Sequence, residues 1–293
     1  MTSTEWGAKQ WQNDHFPKSQ LDSDGDTWGM RWRGFEKMRH QSYLALIYAD
    51  LRNPYPIKIL DIGCALCDFT KQAWALNREN RFWCMDISEN AIEWNKENIP
   101  EFTFSIGAIP DIPFDVEFDM IFCLEVIAYL SPDDREKTIE NIHHKLGPTG
   151  KLVFSGVLDK GRQHHTEDEI TTVIGMHFDI RQTEFNHWAI YRKLIERPFD
   201  KVRIVANILL QSLAMSKEEF QQWSASGDGG NKIKIASILR LVRPISNWVL
   251  RAISSVSKLI VGSKTLAVTF HLISKAIRGS KNADEIVVVA VKN

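Results

Sequence analysis

The chain has 293 residues, of which 44% are hydrophobic and 25% charged, a balance that is ordinary for a globular protein with a substantial buried core. This composition excludes a fibre and a largely disordered chain. The formal net charge of −1 conceals an asymmetry, because nearly all of the acids precede residue 230 and the C-terminal part is basic.

The sequence gives no sign of secretion or of a membrane span. The N-terminus lacks a cationic-then-apolar signal pattern, and no uncharged apolar run reaches the roughly 18 residues that a span requires. The four cysteines lie in the first half of the chain, where a reduced intracellular setting suits them best. We therefore expect a cytoplasmic protein.

Helical and strand patterns alternate along the first two thirds of the chain. A segment at 1–34 precedes a helix predicted at 35–51, where apolar residues recur at helical spacing. Strands are predicted at 57–62, 81–86, 102–106, 120–124, 151–157 and 178–185. Helices are predicted between them at 68–77, 89–97, 132–146 and 166–174. Such alternation predicts an α/β fold with a doubly wound, mostly parallel sheet and right-handed crossovers.

Three features along this pattern point to one ligand site. Gly63 ends the first strand, Asp86 ends the second, and Gly107 to Asp111 follow the third. Ligands of open α/β sheets bind at the carboxyl edge, and an acid in the place of Asp86 suits the hydroxyls of a ribose. Because the turn after Gly63 has no second or third glycine, a diphosphate would be poorly accommodated there. A nucleoside without phosphates fits better.

Cys64 and Cys67 form a C-x-x-C pair in the same turn. Structural zinc takes four ligands, and no second pair of cysteines or histidines has matching spacing. We therefore interpret the two cysteines as small residues packed in a tight turn and expect no metal.

Several motifs now carry a family resemblance. The runs Leu60 to Cys64 and Phe118 to Leu130, together with Asp86, resemble the successive motifs of class I S-adenosylmethionine-dependent methyltransferases. Within that superfamily, residues 35–40, the Cys-Ala turn and the Glu-Val-x-x-Tyr-Leu run are similar to the rhizobial nodulation (NodS-like) methyltransferases, which act on an amino sugar of a lipochitooligosaccharide precursor. The resemblance covers about residues 28–185 and implies a Rossmann-like sheet of seven strands with an N-terminal helix.

The resemblance also implies a binding site for S-adenosylmethionine. Asp61 and Gly63 would hold its amino-acid end, Asp86 its ribose, and Glu125 would lie beside the sulfonium. Arg39 or His40 could pair with its carboxylate. The full set of implied cofactor-binding residues is Arg39, Asp61, Gly63, Cys64, Ala65, Asp86, Ile87, Ala108, Ile109, Asp111, Leu124 and Glu125. Two positions depart from the family pattern: Cys67 replaces the last glycine of the turn, and Ala108 replaces an acid.

The loop after the fifth strand is expected to overhang the same edge. In the nodulation enzymes a comparable loop lies near the acceptor. The resemblance therefore implies His165 as the candidate general base, Asp159 as its orienting partner and Tyr129 as a residue that shapes the acceptor pocket. The alternative is that the histidines of this loop are exposed residues ahead of the next helix.

The last third of the chain is predicted as an insertion at 189–282 before a final antiparallel strand at 283–291. Residues 231–282 contain ten basic residues and no acid. On a helix, apolar residues from Ile238 to Ile260 fall on one side and basic residues such as Arg251 on the other, which is typical of a helix lying in a membrane interface. The alternative is a helical lid whose apolar side packs on the protein itself. Nucleic acid binding is not favoured, because the segment lacks aromatic residues spaced for stacking on bases.

The resulting domain prediction is an N-terminal segment (1–34), a cofactor-binding core (35–188), a basic helical insertion (189–282) and a last core strand (283–293). The leading hypothesis is methyl transfer to a hydroxyl or amine of a saccharide, which could be lipid-linked, at the cytoplasmic membrane face. Two alternatives stay open: a soluble small-molecule methyltransferase with a helical lid, and a non-catalytic membrane-associated adaptor. The oligomeric state is not predicted.

Overall fold

The computed structural model describes residues 32–158, 166–214, 247–278 and 283–293. Within them, two compact units are distinguished, and each is described by itself. The first comprises Glu36–His187 and His271–Asn293; the second comprises Trp32–Phe35 and Trp188–Phe270, within the described ranges.

The first unit alternates strands and helices as the sequence predicts. The first part of the unit contains α1 (Gly34–Leu51, whose first two residues belong to the second unit), β1 (Lys58–Ile62), α2 (Asp68–Trp74), β2 (Arg81–Asp86), α3 (Glu89–Asn98) and β3 (Thr103–Ile106). It continues with β4 (Phe118–Leu124), α4 (Pro132–Lys145), β5 (Leu146–Val157), α5 (Glu167–Gly175), β6 (Phe178–Asn186) and β7 (Glu285–Lys292).

The seven strands form one sheet in the order β3-β2-β1-β4-β5-β7-β6. The first five strands of that order run parallel, whereas β7 pairs antiparallel with both β5 and β6. This confirms the predicted fold class, including the antiparallel last strand. Because β1 lies between β2 and β4, the carboxyl ends of the three strands meet at the centre of one sheet edge.

Each face of the sheet carries its own hydrophobic core. On β4, Ile121 and Cys123 belong to one core cluster, while Met120 and Phe122 belong to the other. This division follows from the alternation of side chains along a strand. Parallel strands covered on both faces become continuous apolar runs, which is why these segments are readily recognised in the sequence.

Two boundaries differ from the prediction. The helix predicted at 132–146 ends at Lys145, and β5 begins at the next residue, Leu146. The Gly147-Pro148 pair, which is predicted to separate the helix from the strand, therefore lies within β5. Leu146 is fully buried and pairs with Phe118, so core packing extends the strand past the turn signal. Helix α2 ends at Trp74 and not at residue 77.

The second unit is helical. Two short turns, Ala189–Tyr191 and Arg192–Glu196, lead into α6 (Arg197–Ala214), and α7 (Asn247–Val261) packs against it. Tyr191 donates a hydrogen bond of 2.7 Å to the carbonyl of Val261, and Arg33 forms an ion pair of 2.7 Å with Asp200. These bonds connect segments that are far apart in the sequence.

The predicted amphipathic segment is interrupted at Gly262. Helix α7 ends there, and α8 (Lys264–Arg278) begins two residues later. A Cβ at Gly262 would lie 2.6 Å from the carbonyl oxygen of Trp32, so the chain needs a glycine where it turns. The predicted apolar and basic residues at 238–245 lie outside the described residues. No single described helix meets the length and hydropathy of a membrane span, although the bent pair Trp248–Val261 and Lys264–Ile277 does so jointly.

Candidate functional site

The loop between β1 and α2 is a tight turn that contains three residues with left-handed backbone conformation. Their φ angles are 72° at Gly63, 46° at Ala65 and 57° at Cys67. Only glycine adopts this region without cost, so Cys67 occupies a position that favours glycine. The amide of Gly63 donates to the carbonyl of Met85 at 2.8 Å, which ties the turn to β2.

Asp86 ends β2 and holds the turn in place. Its carboxylate accepts hydrogen bonds from the backbone amides of Ala65, at 2.9 Å, and Ser88, at 2.8 Å. Burial raises the pKa of Asp86 to about 6, although these amide bonds favour the ionised form. The carboxylate therefore organises the turn and still has lone pairs for further donors.

Asp61 is the other acid of this region, and it lies beneath the turn. Its carboxylate is buried and accepts a hydrogen bond from the hydroxyl of Thr70 on α2. Burial raises the pKa of Asp61 well above its ordinary value. The sequence correctly marks Asp61 as a strand-end acid, and the structure shows that its side chain packs under the loop.

The residues after β3 continue the same edge. The amide of Gly107 donates to the carbonyl of Asp86 at 3.1 Å, and the amide of Asp111 donates to that of Ala108 at 3.2 Å. Ile109 precedes a cis proline and packs against the core, whereas the side chain of Asp111 is exposed. Ile87 and Ala108 are half-buried. The ends of β1, β2 and β3 are therefore linked by direct contacts.

Glu125 follows Leu124 at the end of β4 and also has a left-handed backbone, with φ of 61°. Its amide donates to the carbonyl of Ser155 at 3.1 Å, and its carboxylate accepts from the Ser155 hydroxyl at 3.2 Å. Its side chain is 27% exposed. The short helix Ile127–Tyr129 comes next, and Tyr129 lies four residues beyond Glu125 in the sequence.

A buried ionic cluster supports Glu125 from α1. Arg39 binds both carboxylate oxygens of Glu285 on β7, at 3.1 and 3.0 Å, and contacts Glu36 at 3.0 Å and Glu125 at 3.3 Å. Tyr43 donates to Glu285, which is fully buried. We call Arg39, Glu36, Glu125, Glu285 and Tyr43 the Arg39 cluster.

Three carboxyl groups share one guanidinium in this cluster. Burial alone would raise the pKa of Glu285, but the charge of Arg39 holds that pKa below its ordinary value. Burial raises the pKa of Glu125 to about 8. The charge of Arg39 opposes this rise, but the neighbouring Glu285 raises the pKa further and partly offsets the effect of Arg39. Glu125 is thus the member of the cluster that can exchange a proton near neutral pH.

The predicted pairing of Arg39 or His40 with a cofactor carboxylate stays a prediction. All three guanidinium nitrogens of Arg39 contact protein oxygens in the described structure. His40 is buried against Gln72 at 2.8 Å, and burial, followed by the charge of Arg39, lowers its pKa to about 4. A neutral imidazole is a weak partner for an anion.

The candidate catalytic residues are described only in part. His165 and Asp159 lie outside the described residues, and of Tyr129 only the backbone position is described. In contrast, sequence reasoning missed Glu285, Tyr43 and Ser155, which the sheet brings to Glu125. The sequence does carry a signal for Glu285, since it is an acid directly before the apolar run 286–291 of β7.

Replacing Gly63 with alanine is expected to lower the free energy of unfolding by about 1–2 kcal/mol or more. The left-handed φ penalises any side chain, and the new Cβ would lie 2.4 Å from Val126 Cγ2. Chemical denaturation measures the loss. Adding Val126→Ala should relieve the steric collision but not the cost of the left-handed backbone. The double variant should therefore recover only part of the lost free energy of unfolding. Gly175→Ala is the matched control, because nothing lies within 4 Å of its would-be Cβ. A Gly63→Ala protein as stable as that control would contradict this account.

Comparisons with known proteins agree with this geometry. Residues 59–150 match the family described as a methyltransferase domain. The carboxy-S-adenosyl-L-methionine synthase of Shewanella halifaxensis is 30% identical over 134 residues, which are 43% of this chain and 53% of that protein, and the synthase of Shewanella pealeana is 29% identical over the same length. The chain therefore spans about half the length of the curated relatives it matches.

Solved structures with the same fold cover different lengths of the chain. The N-methyltransferase NodS of Bradyrhizobium japonicum, in complex with S-adenosyl-L-homocysteine, is 23% identical with a TM-score of 0.50 over 59% of this chain and 90% of its own. Magnesium protoporphyrin IX methyltransferase of Synechocystis is 16% identical, with a TM-score of 0.51, over 63% of this chain and 91% of its own. The [4+2]-cyclase SpnF is 11% identical, with a TM-score of 0.55, over 97% of this chain and 96% of its own. At these identities the likeness concerns the fold.

The matched residues 59–150 contain β1 to α4, including the Gly63 turn, Asp86 and Glu125. The sheet order and the antiparallel last strand complete the fold that the sequence motifs imply. Residues 59–150 thus match a methyltransferase domain, and the chain has the fold of the class I S-adenosylmethionine-dependent methyltransferases, which NodS shares.

Proposed function

We propose that this protein binds S-adenosylmethionine at the carboxyl edge of β1, β2 and β4 and catalyses methyl transfer. The observation that carries the proposal is the linked arrangement of the Gly63 turn, Asp86 and Gly107, in which Asp86 accepts an amide from the turn and its carbonyl accepts one from the loop after β3. When bound, the cofactor supplies an activated methyl group. The residues of the chain bind the cofactor, orient it and exclude water from around it.

The residues present fit such a ligand without phosphates. Each carboxylate oxygen of Asp86 accepts one backbone amide and retains a lone pair for a ribose hydroxyl. The narrow turn after Gly63, braced against Val126, suits the amino-acid end better than a pyrophosphate. Ala108 and Ile109 would flank the adenine, with Ile87, Cys64, Ala65 and Leu124 completing the walls.

Proton removal from the acceptor has two candidate bases. His165, oriented by Asp159, is the base that the resemblance implies, and Tyr129 would shape the pocket. Glu125 is the described alternative, since it ends β4, is partly exposed and has a pKa of about 8. Turnover and its pH profile in His165→Ala and Glu125→Gln variants discriminate between them. The base must be deprotonated to act, so the variant that loses the fall of activity at low pH identifies the base, and normal turnover in either variant removes that residue.

For the acceptor we propose a saccharide hydroxyl or amine, lipid-linked and reached at a membrane surface. Helix α7 supports the membrane part. Its buried side carries Leu250 and Val261, whereas Trp248, Val256 and Leu259 are 71%, 53% and 74% exposed. The exposed Arg251 and Lys258 flank these apolar side chains. An exposed apolar face beside basic residues suits the boundary between anionic head groups and acyl chains.

A groove in the same unit supports a lipid ligand. It lies between α6 and α7, has a volume of about 330 Å³, and is lined by Lys201, Val202, Val205, Ala206, Leu250 and Ile253. Five of these residues are apolar, and Lys201 could meet a phosphate. An acyl chain is the occupant that suits this lining.

An Arg251→Glu variant is expected to bind anionic vesicles at least about fivefold more weakly, since one basic residue near such a surface contributes about 1 kcal/mol. Flotation with vesicles containing phosphatidylserine measures the change. Arg181→Glu is the charge-matched control, because Arg181 is an exposed residue of β6 in the first unit. Equal binding by both variants, or equal binding to neutral vesicles, would contradict the membrane proposal.

We also consider a second candidate activity, the formation of carboxy-S-adenosyl-L-methionine, because the curated relatives are carboxy-S-adenosyl-L-methionine synthases. The identity of 30% over 134 residues favours this alternative over other reactions of the fold. Incubation with S-adenosylmethionine labelled in the methyl group, in a cell extract that supplies both methyl acceptors and carboxyl donors, separates the two. Methyl transfer moves the label to an acceptor, whereas the synthase reaction leaves it on a cofactor that has gained a carboxyl group.

The acceptor class is tested with the same label in a cell extract fractionated into lipid-linked, free saccharide and other small-molecule pools. Label in the lipid-linked saccharide pool is the expected result. Label in free small molecules would support the soluble methyltransferase instead, and cofactor binding without label in any pool would support the non-catalytic adaptor.

A further inference from the structure

The turn that carries Gly63 also brings together three cysteines. The sulfur atoms of Cys64, Cys67 and Cys84 lie within 4.8 Å of one another. Cys64 is 6% exposed, and the other two are fully buried. In the part of the chain that the structure describes, no other set of three histidine, cysteine or acidic side chains brings its ligand atoms this close.

The third cysteine comes from a different element. Cys64 and Cys67 belong to the turn, whereas Cys84 lies in β2 at the register position of Asp61 on β1. Strand pairing therefore completes a set that the C-x-x-C spacing alone does not. A search of the sequence for a second pair of ligands could not find it, because the third ligand is a single residue.

We propose that Cys64, Cys67 and Cys84 form a three-thiolate site for one soft metal ion of the Cu(I) type. Thiolates select soft ions, and no histidine or carboxylate among the described residues joins the three sulfur atoms within the same reach. Zn²⁺ prefers a fourth ligand, which this group does not supply. With metal–sulfur bonds of about 2.3 Å, a planar three-coordinate ion needs sulfurs about 4.0 Å apart, which is compatible with three sulfur atoms that all lie within 4.8 Å of one another.

A disulfide would use only two of the three thiols and would need those two sulfur atoms about 2.05 Å apart. Each thiol releases its proton to solvent when it binds the ion.

The backbone of Cys67 supports a specific use of its side chain. At φ of 57° a glycine would be favoured, and a cysteine there is retained at an energetic cost. The turn that holds the proposed cofactor would be fixed by the ion. Methyl transfer itself needs no metal, so metal binding at this site can be tested without an activity assay.

The experiment titrates the full-length, chemically reduced protein with Cu(I) in competition with a chromogenic Cu(I) chelator under anaerobic conditions. One ion per chain is expected. Cys67→Gly removes a ligand where the backbone favours glycine, so it should fold, and we expect its affinity to fall more than about 100-fold. Cys123→Ala is the matched control, since Cys123 is the fourth buried cysteine and lies outside the group, and its affinity should be unchanged.

X-ray absorption on the loaded wild-type protein gives a second measurement that needs no variant. Three sulfur scatterers at about 2.3 Å are expected. The proposal is overturned by equal Cu(I) affinity in the wild type and Cys67→Gly, by fewer than three sulfur ligands, or by a disulfide within the group in the reduced preparation.

Discussion

Replacing Arg39 with methionine is expected to lower the free energy of unfolding by about 3–5 kcal/mol, the largest loss for any single substitution discussed for this protein. The substitution leaves Glu36 and the fully buried Glu285 without their cation. Uncompensated carboxylates in the core are costly because they cannot return to water. Denaturant titration at neutral pH measures the loss.

The pH dependence of the same variant identifies the cause. Without Arg39, the pKa of buried Glu285 should rise above its value in the unfolded chain, so the folded state binds more protons and its stability falls as pH rises. The defect should therefore be larger at pH 8 than at pH 5. Arg52→Met, which changes an exposed arginine bonded to Tyr48, should shift stability by less than about 0.5 kcal/mol at both pH values. A defect independent of pH would mean that lost packing, and not charge, explains it.

Replacing Asp86 with asparagine is expected to weaken S-adenosylmethionine binding by about 1.5–3 kcal/mol, or about 10- to 150-fold in Kd. The amide keeps the shape but offers one acceptor oxygen, while the turn amide of Ala65 and the amide of Ser88 already need two. The variant thus loses a charged acceptor for the ribose and loosens the turn. Calorimetric titration below its melting temperature measures the effect.

The titration of Asp86 gives this prediction a distinct signature. Because burial raises its pKa to about 6, wild-type affinity should fall as pH decreases below about 6, where the carboxylate is protonated and can no longer accept from both partners. The asparagine variant should lack that fall. Asp179→Asn, an exposed acid of β6 paired with Arg181, should bind like the wild type at every pH. Wild-type affinity in Asp86→Asn would remove Asp86 from the proposed site.

The sheet and the central site residues could be predicted because local signals agree with the fold. Apolar runs ending in Gly63 and Asp86 mark strands and their carboxyl ends, and parallel strands with right-handed crossovers place those ends on one edge. The family resemblance marks Cys67 as a departure from a glycine, and its left-handed backbone gives that departure a physical meaning.

The remaining features depend on contacts between distant parts of the sequence. Glu285 meets Arg39 across 246 positions because β7 enters the sheet next to β5, a pairing that no local pattern specifies. Cys84 joins Cys64 and Cys67 through strand register. The start of β5 at Leu146 likewise depends on core packing, which overrides the Gly-Pro turn signal.

The most direct test of the central claim is calorimetric titration of the full chain with S-adenosylmethionine and with S-adenosylhomocysteine. The account predicts saturable binding of one ligand per chain, with an affinity that decreases below about pH 6 and decreases in Asp86→Asn. No heat and no thermal stabilisation at millimolar concentrations of either ligand would contradict it.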